Sequence, residues 1–262
     1  MSRDLAAVLF DLDGTLIQHT RRLEDLCAET FAGFAAQLAP LTCDQFWETF
    51  WPKARDMWYM MIDGVLDGET AHLYSFVNTL RTLNAGPNLA RPLLLAWEEH
   101  TLSATRLSDG AGPVIRRLRA AGLRTGIVTN GYTAVQSRKI RHHDLDVLVD
   151  FVLVSEQAGV HKPDKAIFEK ALELARVEPG QAIYVGDSPA SDIAGAVSAR
   201  MRAVLLDAHS GWREPGVEPA AGGAVEPPGT PRIRFLRELL PLLNLAPLPE
   251  EEARLAGRDD PR

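Results

Sequence analysis

Two carboxylates stand two residues apart in Asp11-Leu12-Asp13-Gly14-Thr15, directly after a short apolar run from Ala6 to Phe10. Acids at i and i+2 past a strand end can share one crevice, so that one attacks while the other moves protons. A second acid pair, Asp187 and Asp192 in Gly186-Asp187-Ser188-Pro189-Ala190-Ser191-Asp192, follows the run Ala182 to Val185. Both can turn toward one cation, and magnesium takes one or two carboxylates together with waters and phosphate oxygen. Between the pairs lie Thr129-Asn130-Gly131, where a hydroxyl and glycine-relaxed amides at a helix start make a natural phosphate cradle. Lys162 follows, in His161-Lys162-Pro163-Asp164, with Asp164 suited to cap the next helix.

Each motif has a plainer reading: an acidic turn closed by Gly14, a strand-to-helix connection, a solvated lysine, and Asp192 as a helix cap. A calcium loop counted from Asp11 fails, because Leu16 and Arg22 stand where a turn glycine and a bidentate acid belong. The plain readings would have to hold independently at four strand ends in succession.

The elements that must position these residues alternate. Short apolar runs at Ala6 to Phe10, Arg124 to Thr129, Phe151 to Val154, Ala182 to Val185 and Ala203 to Leu206 read as strands. Helices are expected from Pro113 as first residue to a Gly122 end, from about Thr133, over Lys165 to Ala175 and over Asp192 to Ala199, with a last one over Ile233 to Leu240. Strands alternating with single helices imply βαβ units and a parallel sheet covered on both faces. From Arg21 to Thr105 the texture is helical throughout, punctuated by Pro40, Pro52, Gly64, Gly68, Gly86, Pro87 and Pro92 into four or five helices. The expected fold is α/β, a Rossmann-like doubly wound parallel sheet with an inserted all-helical cap. Its core spans 1–17 and 106–210, continuing to about 245, and its cap spans 18–105. The Gly/Pro/Ala-rich stretch from Gly211 to Pro231 reads as an irregular loop, and 246–262 as a disordered tail.

These motifs, over about Ala6 to Leu206, resemble the haloacid dehalogenase-like hydrolase superfamily, in its branch with an inserted helical cap. The resemblance implies Asp11 as nucleophile, Asp13 as general acid and base, and Lys162 and Thr129 as the lysine and threonine of the family's other motifs. It implies magnesium held by Asp11, the backbone carbonyl of Asp13 and Asp187, with Asp192 the second acid of that last motif. The expected activity is magnesium-dependent hydrolysis of a small phosphorylated metabolite, a sugar phosphate or nucleoside monophosphate, through an aspartyl-phosphate. Thr129 and the amides near Asn130 and Gly131 would hold the non-bridging oxygens. To donate a proton near neutral pH, Asp13 needs its pKa raised.

Three other readings compete. A sugar phosphomutase keeps both acids of the first motif. A non-catalytic binding module would use the cap as a partner surface. A serine esterase on Ser188 lacks a G-x-S-x-G elbow, and Ser188 suits a turn better. Relatives that cleave carbon–halogen bonds lack an acid in the place of Asp13.

Over 262 residues, 46% are apolar and 24% charged, enough for one large domain and a smaller partner. The formal net charge of -7 argues against nucleic acid or an anionic membrane as partner. The partner expected is the small phosphorylated substrate, with the chain a monomer or homodimer. Cys27 and Cys43 match no zinc spacing and read as reduced core thiols. With no leader and no membrane-length apolar run, the chain is expected to be cytoplasmic. Trp47, Trp51, Trp58 and Tyr59, with Met57, Met60 and Met61, read as core of the helical unit or as lining for the leaving group. The basic runs Arg116 to Arg119 and Arg138 to His143 read as solvated helix faces.

Overall fold

The computed structural model describes residues 5–207 and 227–249. Its strands are β1 (Ala7–Phe10), β2 (Ile17–His19), β3 (Thr105–Leu107), β4 (Arg124–Thr129), β5 (Phe151–Val154), β6 (Ala182–Gly186), β7 (Arg202–Leu206) and β8 (Arg232–Ile233). Six of them form one sheet in the order β5-β4-β1-β6-β7-β8, every pair parallel, while β2 and β3 make a separate antiparallel pair. The chain leaves β1 toward β5 and later crosses back to β6. The order therefore reverses between β1 and β6, where open α/β sheets form their ligand crevice.

The strands read as continuous apolar runs because both faces are covered. Successive side chains alternate between faces. Val8, Phe10, Ile127, Ile183 and Val185 pack on one side with Val114, Ile115 and Leu118 of the helix Ala111–Ala120. Ala7, Leu9, Val128 and Tyr184 pack on the other with Ile167, Phe168 and Ala171 of the helix Lys165–Ala175. Each large side chain so buried contributes about 1.5–3 kcal/mol, which fixes the strand tips against one another.

Between β2 and β3 the chain forms the helices Leu23–Ala32, Ala35–Leu38, Cys43–Ile62, Gly68–Thr82 and Ala90–Ser103. They bury a cluster of their own around Leu26, Phe46, Phe50, Phe76, Leu80 and Leu93. Pro52, expected to interrupt this region, lies inside the helix Cys43–Ile62. The buried positions Phe46, Phe50, Met57 and Met61 continue past it on one face, while Pro52 itself is exposed. Packing on that face outweighs the roughly 3 kcal/mol that an interior proline costs. Thr42 and Gln45 start this helix with reciprocal side-chain to backbone bonds of 3.3 and 3.0 Å.

Other differences from the sequence reading are local. Pro113 is the third residue of its helix, still within the first turn where no N–H is needed. The expected last helix begins instead as β8, which extends the sheet beside β7; a 3-10 turn at Leu236–Glu238 then leads into the short α-helix Leu239–Leu242. Residues 189–193 form a π-type turn ahead of the short helix Ala194–Ser198. Most of the Gly/Pro/Ala-rich stretch, 211–226, and residues 250–262 of the expected tail lie outside the described residues. Leu245 and Leu248 pack against the sheet's first cluster. No helix among the described residues is long and apolar enough to cross a membrane. Cys27 is buried, with its thiol pushed up to about 12 by that burial, and Cys43 is half-buried; neither is in a disulfide.

Candidate active site

All four motifs open at the carboxyl edge of the sheet. The Asp11 amide donates to the Val185 carbonyl at 2.9 Å, which carries the β1–β6 pairing one residue beyond the strand and fixes where that carboxylate starts. Gly14 then turns the chain with φ +82, and a Cβ there would overlap the Asp187 carboxylate. Only glycine meets both demands. Likewise a Cβ on Gly186 would collide with the Asp192 carboxyl.

Lys162 sits at the centre of the acids. Its ammonium donates to Asp11 Oδ1 at 2.6 Å, to Asp192 Oδ1 at 2.7 Å and to the Tyr184 hydroxyl at 3.2 Å. That hydroxyl donates in turn to the Val128 carbonyl at 2.7 Å, and burial holds it well above the ordinary tyrosine range. Asp192 Oδ2 accepts the Ser188 amide at 3.0 Å. Oxygens of Asp11, Asp187 and Asp192 lie within 4.8 Å of one another. Three carboxylates around one ammonium leave an excess of two negative charges in a largely buried site. Hard, closely spaced oxygens with that charge fit a small divalent cation such as magnesium.

Asn130 spends its side chain on Lys162: its Nδ2 donates to the Lys162 carbonyl at 3.1 Å and its Oδ1 accepts the Lys162 amide at 2.9 Å. The second motif thereby positions the third. Of the expected phosphate-cradle groups, the Gly131 amide donates to Ser155 Oγ at 3.1 Å, and Thr129 Oγ1 lies 3.2 Å from the Asn130 carbonyl.

The Asp13 side chain points away from the acid cluster into a second network. Oδ1 accepts from Lys139 Nζ and from His19 Nε2, each at 2.8 Å, and Oδ2 accepts from Gln136 Nε2 at 2.8 Å. Gln136 Nε2 also reaches Thr129 Oγ1 at 2.7 Å. Burial alone would push the Asp13 carboxyl up, but the Lys139 ammonium and the hydrogen-bonded His19 hold it well below the usual carboxylate range. Burial also lowers His19, against the pull of Asp13, so a neutral imidazole donates Nε2–H to a carboxylate. The sequence reading asks for a raised Asp13. Its neighbours here act in the opposite direction.

Lys139, Gln136 and His19 are the residues that sequence reasoning missed. Lys139 falls in the basic run taken as a solvated face, yet it is 7% exposed. Arg138, beside it, pairs outward with Glu98 and Glu99 at 2.9 and 3.1 Å. The available signal was the spacing: Gln136 and Lys139, three apart in the helix Thr133–His142, share a face just after the second motif.

Above Asp13 lies a cavity of about 130 Å³ between core and helical segment. Its floor includes Asp13, Asn130 and Gly131, and its walls include Phe50, Trp51, Trp58, Trp97 and Tyr132. Of the aromatic and methionine group in the long helix, Met57 and Met61 are buried, whereas Trp51 and Trp58 face this cavity. Ser188 Oγ accepts the Ser191 amide at 3.2 Å, which makes it a turn cap.

Comparison with known proteins places this geometry. The family model described as haloacid dehalogenase-like hydrolase matches residues 5–200. Glyceraldehyde 3-phosphate phosphatase of Pyrococcus furiosus is 28% identical over 204 residues, covering 77% of this chain and 80% of that protein. Pyrimidine 5'-nucleotidase YjjG of Escherichia coli is 34% identical over 111 residues, 42% of this chain and 49% of the nucleotidase. Among solved structures, a HAD phosphatase from Thermococcus onnurineus superposes with a TM-score of 0.59 at 26% identity, covering 93% of this chain and 100% of the other.

Proposed function

Since the chain belongs to the haloacid dehalogenase-like hydrolase family, we propose that it is a magnesium-dependent phosphatase acting on a small phosphomonoester through an aspartyl-phosphate on Asp11. The observation that carries this reading is the convergence of Asp11, Lys162, Asp187 and Asp192 at one sheet edge, with the Asp13 side chain, two residues on, held by Lys139, His19 and Gln136. Residues 18–105 serve as the cap over that edge.

Phosphoryl transfer is a matter of position and charge. Asp11 attacks phosphorus in line with the departing oxygen. Lys162 lies against the attacking carboxylate and offsets its repulsion by the phosphate dianion. Asp11, Asp187 and the backbone carbonyl of Asp13 would hold magnesium, with Asp192 completing the acidic set and fixed by Lys162 and the Ser188 amide. The metal, when bound, supplies positive charge to the transferring oxygens. Thr129 and the backbone amides of Asn130 and Gly131 receive those oxygens. Gly131 must exchange its bond to Ser155 for one to the substrate.

Asp13 gives a proton to the leaving oxygen and then takes one from the water that cleaves the phospho-aspartate. The negative charge of the arriving ester opposes the effect of Lys139 and favours the protonated acid. Asp13 also separates this reading from carbon–halogen cleavage, which leaves no basic oxygen to protonate. The names of the glyceraldehyde 3-phosphate phosphatase and the nucleotidase support a phosphomonoester substrate.

The test is phosphate release from acetyl phosphate and p-nitrophenyl phosphate by the purified chain, with magnesium and with chelator. Release is expected only with metal, and Asp11→Asn is expected to abolish it. Asp13→Asn should cost on the order of 100- to 10,000-fold in kcat. Near-normal turnover in Asp11→Asn would end the proposal, and a sugar-bisphosphate requirement would turn it into a phosphomutase.

A further inference from the structure

We infer that the ester cleaved at this site carries a flat aromatic ring on its leaving group, seated in the cavity above Asp13. This rests on the phosphatase reading and adds the substrate class to it. Asp13 is the proposed proton donor to the departing oxygen, and it lines the cavity floor. Whatever fills the cavity is therefore the leaving side of the ester.

The walls are aromatic, and their rings brace one another. Phe50 meets Trp97 edge to face at 5.4 Å and 66°, and Trp58 meets Tyr132 at 5.5 Å and 76°. His72 stacks on Tyr132 at 4.9 Å and 19°, and Trp51 is backed by Trp47 at 5.1 Å and 26°. Rings fixed in this way form a slot before any ligand arrives, and stacking surfaces so preorganised favour a flat π face. Core packing accounts for Phe46 and Phe76, which are fully buried. It does not account for Trp51 and Trp58, half-buried and turned to a void, because interiors otherwise close such spaces.

The polar side chains on the walls are already engaged. Ser75 donates to the Ala71 carbonyl at 3.1 Å and Thr101 to the Trp97 carbonyl at 2.8 Å, each within its own helix. His72 faces Glu98 at 3.4 Å, and His19, Gln136 and Lys139 all hold Asp13. A polyol leaving group would bring several hydroxyls to walls whose Ser, Thr, His, Gln and Lys side chains are already bonded, and burying most of them unpaired is unfavourable. Lys139 is the one lysine or arginine among the lining residues, and it is paired with Asp13. A second anionic group on the leaving side would find no countercharge. The aromatic ring itself meets neither objection; a nucleoside would still have to place its ribose hydroxyls at the cavity mouth, which a benzyl group need not.

Matched alkyl esters isolate the effect from intrinsic reactivity. With the full chain and magnesium, kcat/KM is measured for pyrimidine and purine nucleoside 5'-monophosphates, benzyl phosphate, ethyl phosphate, glycerol 1-phosphate and hexose 6-phosphates, with acetyl phosphate, an activated acyl phosphate, as a separate control for the phosphoryl-transfer machinery. At least one ringed ester should exceed every polyol ester by about tenfold or more, the size expected of one base–aromatic stack. The nucleotide and benzyl arms tell whether the ring is a nucleobase or a simple aryl group. Trp58→Ala and Trp51→Ala should pull the ringed-to-polyol ratio toward one, and Trp58→Phe should restore most of it. Polyol esters cleaved as well as ringed ones by the unaltered chain would overturn the inference without needing any variant to fold. So would a ratio that neither alanine variant moves. In either case, metal-dependent release from acetyl phosphate leaves the phosphatase reading standing. No release from acetyl phosphate or from any ester removes both.

Discussion

The acids at the strand tips and the aromatic walls above them are built in opposite ways. Lys162 joins Asp11, which is 151 residues away, and Asp192, 30 residues away, and all three groups are buried. Asp11 continues a buried strand, Asn130 at the tip of β4 holds the Lys162 backbone, and the Ser188 amide holds Asp192, so none can move without disturbing the sheet edge. The helical segment keeps a hydrophobic cluster of its own and meets the core through separable contacts. Glu156 and the Arg138 pairs are examples. Phosphate chemistry tolerates little misplacement and sits on the rigid part. On the proposed reading, leaving-group recognition sits at the boundary between the two units.

The sharpest way to break this contrast is Lys162→Met. Removing the ammonium leaves Asp11 and Asp192 facing each other without their shared cation, and breaking a buried pair in this way costs about 3–5 kcal/mol. The melting temperature should fall, and kcat should drop on the order of 100- to 1,000-fold, as for loss of one transition-state donor. Near-normal turnover would mean that the strand-tip cluster is structural and that the reaction happens elsewhere.

The rigid half was also the legible half. AVLF, RTGIVT, FVLV and AIYV are apolar runs bounded by turn residues, and the strands fall on them to within a residue. IQH, TRL and RI carry no such pattern, so β2, β3 and β8 were invisible: two or three residues cannot show a period. Asp11 and Asp187 were found because each directly follows a strand; Asp192 stands in the turn beyond, and Lys162, expected at a strand end, comes eight residues after β5 with the helical turn Ser155–Ala158 between. Lys139 was hidden for the converse reason. It lies nearly two turns into a helix among arginines, and apart from sharing a face with Gln136 it is distinguished from Arg138 or Arg141 by the tertiary position of Asp13.

A smaller effect tests whether the two halves separate. Glu156 accepts the Gly68 amide on one oxygen and the Thr133 amide on the other, both at 2.6 Å. These are the first residues of one helix in the overlying segment and one in the core. A single carboxylate thus caps two helix starts and ties them together. Glu156→Ala should destabilise the fold by about 1–2 kcal/mol, the worth of a helix cap, and raise KM more than it lowers kcat. Hydrogen exchange at the Gly68 and Thr133 amides should quicken. If neither amide changes, the tie is not functioning in solution.

The smallest expected effect concerns Arg138, whose guanidinium reaches across to Glu98 and Glu99. These pairs are partly exposed, and such pairs are worth roughly 0.2–1 kcal/mol each. Arg138→Met should therefore lower the melting temperature by a few degrees at most at pH 7, with kcat nearly unchanged. Its pH dependence identifies the partner. The Glu98 carboxyl is held below its usual value, first by the hydrogen bond with His72, against the effect of burial, and then by the charges of His72 and Arg138. A depressed acid contributes stability that is fully present above its unfolded pKa of about 4.3 and lost as pH falls through its folded value. The difference between Arg138→Met and the unaltered chain should hold from neutral pH down to about 5 and shrink below that. A difference that grew on acidification would assign the contact to packing by the arginine stem, and the boundary between the two halves would then be less polar than its ion pairs suggest.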